Sequence, residues 1–210
     1  LTEAELPVPR VAEAQERRKQ ILQAAVAVFS ERGYANATVS DVANAAGLAH
    51  GTVYLYFQSK ADIFSSLVDW FSEKLIAEIS AAEPEGTSAS LDEDLFRMFD
   101  HALVSCAAFP GIASLTLREA RAGTREIAPA FQRFERNLSD RLAARLARAI
   151  AEGEARDQNV ELATSFVLHG LTMAIERLLT NPAGTDAAGL ARDTVTLLVH
   201  GLARPTERNI

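Results

Sequence analysis

Two helix-start signatures separated by a single glycine stop constrain this chain more than any other feature. Thr38-Val-Ser-Asp41 and Ser59-Lys-Ala-Asp62 each place a hydroxyl three residues before a carboxylate. In that arrangement the hydroxyl accepts a backbone N–H of the first turn, and the carboxylate reaches back to the N–H of the capping residue. The helix opened at Thr38 runs through Val42 and Ala46 and meets Gly47, the residue type that ends helices by turning left-handed. Between Gly47 and Ser59 there is room for one more short helix, within residues 50–57. A short capped helix, a tight turn and a second short helix form the layout that lets a helix stand clear of its own domain. Such a helix can enter the major groove of B-DNA, which is about 12 Å wide.

The second helix, His50-Gly-Thr-Val-Tyr-Leu-Tyr-Phe57, has unusual chemistry for a surface element. Val53 and Phe57 are spaced for the core, which leaves His50, Thr52, Tyr54, Leu55 and Tyr56 on the other faces. Two readings stand side by side. Either the tyrosines pack against neighbouring helices, or their hydroxyls meet phosphates while Leu55 and the Thr52 methyl meet thymine methyls. Ala49 occupies the capping position without a side-chain acceptor, a substitution that typically costs about 1 kcal/mol.

The rest of the chain reads as helix after helix. Ile21, Leu22, Ala25, Val28 and Phe29 recur at helical spacing ahead of Gly33, which is expected to stop the first helix. The helix opened at Ser59 carries Ile63, Phe64, Leu67, Val68, Phe71, Leu75 and Ile79. Residues 83–90 form a loop, and Ser90 with Glu93 caps the next helix, which Pro110-Gly111 breaks. A short helix near 112–121 leads past Gly123 to a stripe of Ile127, Phe131, Phe134, Leu138, Leu142, Leu146 and Ile150, closed by Gly153. Two further helices, over 162–179 and 190–202, flank Asn181-Pro-Ala-Gly184. The pattern predicts an all-α fold of about nine helices. It divides into a flexible arm over 1–10 that holds Pro7 and Pro9, a helix-turn-helix domain over 11–58, and a larger helical domain over 59–210.

A net charge of −7 argues against nucleic-acid binding only if the charge is evenly spread. The first 60 residues hold 6 basic and 6 acidic side chains, whereas residues 61–210 hold 15 and 22. The acidity therefore belongs downstream, and the charge of the first part permits DNA binding without demanding it.

Residues 17–64 resemble the DNA-binding domain of the tetracycline-repressor (TetR) family. The likeness runs from Arg17-Arg-Lys-Gln-Ile-Leu-Gln-Ala-Ala25 through Phe29-Ser-Glu-Arg-Gly-Tyr34 and Thr38-Val-Ser-Asp-Val-Ala43. It continues through Ala46-Gly-Leu48 and Gly51-Thr-Val-Tyr-Leu-Tyr-Phe57 to Ser59-Lys-Ala-Asp-Ile-Phe64, without a gap. The resemblance implies that the first three helices bind DNA, that the fourth connects them to a regulatory domain, and that the turn and recognition helix span residues 47–56, Gly51 included. It makes Thr38 and Tyr54 phosphate contacts, Ser40, His50, Thr52 and Leu55 base-edge readers, and Tyr56 and Lys60 anchors on the DNA backbone. It further implies a homodimer through the last two helices, reading a palindromic operator. Small residues such as Gly170, Ala174 and Gly201 in those helices allow close approach. Arg17, Arg18 and Lys19 are expected to add phosphate affinity.

The resemblance also implies that the larger domain binds a small-molecule effector. Trp70, Phe99, His101, Phe131, Phe134, His169 and Met173 are the expected pocket residues, pointing to a hydrophobic or amphipathic guest. Taken singly, each of these positions reads first as core, because aromatic stripes at helical spacing are normally packing. His101 and His169 lack the acidic or cysteine partners of a metal site, so neither metal nor cofactor is expected. The lone Cys106 excludes an intramolecular disulfide. No apolar run of membrane-spanning length and no leader pattern stand out, so the expected address is cytoplasmic with no membrane partner. No nucleophile–base pair or phosphate-binding glycine loop is spaced for catalysis, so no enzyme activity is expected. A helical protein-interaction module without DNA binding is the alternative, and it leaves the Tyr-Leu-Tyr helix unexplained.

Overall fold

A computed structural model describes residues 11–81 and 90–200. The expected arm (1–10), most of the loop at 83–90, and Gly201 with the rest of 201–210 lie outside the described residues. Nine α-helices and one 3-10 turn, and no strand, are found among the described residues. In order they are α1 (Val11–Asn36), α2 (Val39–Ala45), α3 (His50–Tyr54), α4 (Lys60–Ala81), α5 (Leu91–Ala108), α6 (Pro110–Ala122), α7 (Ala128–Ala151), α8 (Val160–Thr180) and α9 (Ala187–His200). The 3-10 turn, Pro182–Gly184, joins the last two.

Local chemistry fixes the helix ends. At α2, Asp41 N–H donates to Thr38 Oγ1 (3.1 Å) and Thr38 N–H donates to Asp41 Oδ2 (2.9 Å), closing the expected box. Ser90 and Glu93 close a second at α5. At α4 the return bond is displaced by one residue: Asp62 N–H donates to Ser59 Oγ, but the Asp62 carboxylate takes the N–H of Gln58. Hydrogen bonds from Thr38 hold the Asp41 carboxyl below its ordinary range, with nearby Arg32 adding to the effect. A carboxylate depressed by folding contributes stability that is complete above its unfolded value, about 3.9, and is lost as pH falls through the folded value. Asp41→Asn is expected to be less stable than the parent at pH 7 and to converge on it as pH falls below the ordinary carboxylate range in denaturation experiments.

Gly33 does not stop α1 outright. It adopts φ 75°, ψ 159°, breaking the helix, and one further turn follows to Asn36. Gly47 takes the left-handed turn expected of it, and Gly123 ends α6 in the same conformation. Around α2 and α3, the buried side chains of Ile21, Ala25, Phe29, Val42, Val53 and Phe57 form a small core. Phe64 of α4 closes it, with ring centroids 5.6 Å from Phe29 and 5.2 Å from Tyr34.

In the larger domain α5 is central. Phe99, Ala102, Leu103 and Cys106 are fully buried as α5 packs against α4, α8 and α9. Burial pushes the Cys106 thiol up to about 12, which leaves it an unreactive core residue. The expected α7 stripe is buried at Ile127, Phe131, Leu138, Leu142 and Leu146 with Phe134 half-buried, and then slips: Ala149 is buried and Ile150 only half-buried. Repeated steps of four residues overshoot a 3.6-residue turn by about 40° each, so a step of three restores the face.

By length and composition, α8 meets the requirements of a membrane span, contrary to the expectation that none would. It packs against α5, α6, α7 and α9, burying Thr164, Val167, Leu171, Ala174, Ile175 and Leu178. At Gly170 a Cβ would come within 2.9 Å of Leu198, so the glycine serves close approach of α8 and α9 inside one subunit.

Candidate nucleic-acid interface

The backbone positions α3 from both sides. Gly47 at φ 67° turns the chain, with Gly47 N–H donating to Asn44 O and Leu48 N–H to Ala43 O. Val53 (0% exposed) and Phe57 (1%) nail the inner face to the core. That leaves Leu55 80% and Tyr54 48% exposed on a helix otherwise tied down. As expected, Ala49 caps α3 without a side-chain hydrogen bond. His50 stacks edge-on to Tyr54 with centroids 5.0 Å apart, which orders two polar aromatic groups on one outward face.

The exposed positions of α2 and α3 make up the candidate DNA-facing surface. Thr38 and Ser40 project from the start of α2, and His50, Gly51, Tyr54 and Leu55 from α3, all exposed. Thr52 and Tyr56 are half-buried at its edge. Hydroxyls, an imidazole and an apolar tip on a protruding helix are the groups that read phosphates, base edges and thymine methyls. Asn44, one turn after Ser40, is exposed on the same helix, and helical spacing alone could have flagged it.

Lys60 departs from the expected role. Its ammonium donates to the carbonyls of Tyr34 (2.8 Å), Ala35 (3.2 Å) and Ala37 (3.0 Å) and lies 4.5 Å from the Tyr34 ring centroid. All three N–H groups are used within the fold, so Lys60 ties off the end of α1 rather than presenting a free charge. Lys60→Met is therefore expected to lower stability by about 1.5–3 kcal/mol, the usual worth of a charged hydrogen-bonding group. It should leave the salt dependence of DNA binding unchanged in a titration from low to high salt. Arg18 is likewise committed inward. It donates to Tyr56 O (2.9 Å) and Ser66 Oγ (2.7 Å) and covers the Phe57 ring at 4.2 Å, fixing the end of α3. Gln20 donates to Ala46 O (2.7 Å), closing the end of α2. Arg17 and Lys19 remain at the surface.

The expected pocket residues do not come together. Phe99 and Phe131 are buried in the core, and Phe134 and His101 are half-buried. Trp70 lies at the surface, edge-on to Phe109 at 5.2 Å. His169 and Met173 leave the interior altogether, because the opposite face of α8 is the buried one. They line up with Leu162 and Phe166 as an exposed apolar stripe.

An all-α chain that follows a short capped helix with a tight turn and a second short, outward-facing helix is a helix-turn-helix protein. The family described as "Bacterial regulatory proteins, tetR family" matches residues 21–67. The Fatty acid metabolism regulator protein of Bacillus subtilis is 30% identical over 185 residues, 87% of this chain and 94% of that protein. Among solved structures, the regulator FadR from Bacillus subtilis, in complex with stearoyl-CoA, superposes with a TM-score of 0.75 at 29% identity. That match covers 88% of this chain and 99% of that one. The fatty acid degradation regulator FadR from Bacillus halodurans gives a TM-score of 0.78 at 26% identity, covering 94% and 98%. The chain belongs to the tetR family, and it is a DNA-binding transcriptional regulator.

Proposed function

We propose that this protein is a homodimeric repressor that grips a palindromic operator and is released from it by a long-chain fatty acyl thioester of coenzyme A. One observation carries this reading. The likeness to the Bacillus subtilis fatty acid metabolism regulator runs along 87% of the chain and so includes the regulatory helices, where effectors differ between regulators. A similar structure holds stearoyl-CoA. The regulatory helices bury large apolar side chains, Phe99 and Phe131 among them, a surrounding compatible with an acyl chain.

Thr38, Tyr54 and Tyr56 meet phosphates in this reading, and Ser40, His50, Thr52 and Leu55 read base edges, with Gly51 allowing close approach. Two subunits associate through α8 and α9, where Leu162, Phe166, Met173 and Leu197 are exposed. Dimer symmetry then mirrors operator symmetry. The protein acts in the cytoplasm, where the chromosome is, and it works by binding rather than by catalysis.

The test begins with a duplex enriched from random sequence, bound in fluorescence anisotropy and titrated with stearoyl-CoA, acetyl-CoA and free stearate. Stearoyl-CoA alone should release the duplex. At 100 times its dissociation constant it should also add about 2.7 kcal/mol to stability. No saturable binding to any enriched duplex would favour the protein-interaction module. Binding that no acyl-CoA disturbs would remove the effector class.

A further inference from the structure

Among the described residues, the hydrogen bonds joining 11–58 to 90–200 converge on one place, the broken end of α1. Gly33 at ψ 159° carries the Tyr34 N–H out of the helical direction, and it donates instead to Glu119 Oε1 of α6 at 3.3 Å. The carbonyls of that interrupted turn need donors. Arg118 of α6 supplies them, donating to Phe29 O at 2.8 Å and Ser30 O at 3.5 Å. Arg118 Nε also lies 3.4 Å from Glu119 Oε1, so an ion pair of α6 is inserted across the gap in α1. Beyond it, Tyr34 Oη donates to Glu126 Oε2 at 2.8 Å. Burial, followed by the bond to Glu126 and the negative charges of Glu126 and Glu119, raises the Tyr34 hydroxyl far above its ordinary value, so it remains a donor.

The packing at this point is equally close. A Cβ at Gly111, at the start of α6, would lie 3.3 Å from Val26 of α1, and Glu119 is only 7% exposed. A buried carboxylate is costly unless paired and hydrogen-bonded, and here every partner fixes a direction.

We propose that Arg118, Glu119 and Glu126 are positioning residues for DNA recognition: by gripping the broken end of α1 they set the angle of the three-helix unit on the regulatory helices, and thereby the half-site spacing the dimer accepts. This rests on the dimeric-regulator reading. Each half of a palindrome is read by a helix whose placement is only as rigid as its mounting. α1 is mounted at its C-terminal end on α6, while α3 touches neither α6 nor α7 closely.

The full-length protein and three variants, Tyr34→Phe, Glu119→Gln and Arg118→Lys, are compared on the duplex enriched by the parent and on copies with one or two base pairs added or removed between half-sites. Arg118→Lys keeps the charge but cannot span two carbonyls and a carboxylate at once. Thermal unfolding confirms that each variant is folded, and Tyr34→Phe, which loses one hydroxyl, guards against collapse of the others. The variants should bind the parental spacing within about threefold of the parent, while their discrimination against altered spacing falls about tenfold. A spacing profile unchanged in folded variants overturns the proposal, since a purely structural role would move stability alone. A parent protein that binds no duplex overturns the regulator reading instead.

Discussion

Phe64→Ala should be among the most destabilising single substitutions in this protein, costing about 3–5 kcal/mol, as large-to-small changes at a buried phenylalanine do. Phe64 is 1% exposed and sits where both parts of the chain meet. Its ring lies 5.6 Å from Phe29, 5.2 Å from Tyr34 and 6.0 Å from Phe131 of α7, at the tilted or edge-on angles aromatic pairs prefer. Truncation would leave a cavity lined by three rings that are themselves held elsewhere. Phe29 is locked in α1, Tyr34 is bonded to Glu126 and faced by Lys60, and Phe131 belongs to the α7 stripe, so collapse cannot fill the space. Trp70 on the same helix provides the contrast. It is larger but 36% exposed, and Trp70→Ala should cost much less. Urea denaturation of both variants checks this. A Phe64→Ala protein within about 1 kcal/mol of the parent would mean that the two parts are not joined through this cluster.

What the sequence made legible was what is decided within a few residues. The boxes at Thr38 and Ser90, the turn at Gly47 and the missing cap at Ala49 are i-to-i+3 chemistry, and they appear as read. Val53 and Phe57 follow from one turn of periodicity on a helix with a clear polar side. The failures share a different cause. By sequence Lys60 and Arg18 are surface cations, yet their partners are carbonyls 38 residues away for Arg18 and 23 to 26 for Lys60. No local pattern announces a long side chain that turns inward. Glu119 is hidden for the same reason, its partner being the Tyr34 N–H 85 residues earlier. His169 and Met173 show a third limit. Helix α8 is apolar on nearly every side, so spacing defines its stripes without saying which one is buried.

That ambiguity in α8 leads to the prediction with the largest functional effect. Leu162, Phe166, His169 and Met173 form one exposed face, opposite the face packed on α5, α6 and α7. Phe166 is 63% exposed near its middle, and Leu197 offers an exposed apolar side chain on neighbouring α9. In the proposed dimer, two-fold pairing of α8 and α9 with their mates covers this apolar stripe. Phe166→Glu puts a carboxylate where that interface must be dry. Burying an unpaired charge costs several kcal/mol, so the variant should run as a monomer in light scattering at micromolar concentration. Its fold should be unaffected, because the side chain already faces water within one subunit. Operator affinity should fall by about 10²–10⁴-fold, the avidity lost when two linked half-site contacts become independent, while binding to an isolated half-site stays as it was. Leu55→Ala should do the reverse, keeping the dimer and weakening whole operator and half-site together. A Phe166→Glu protein that stayed dimeric with full operator affinity would place the dimer on another surface.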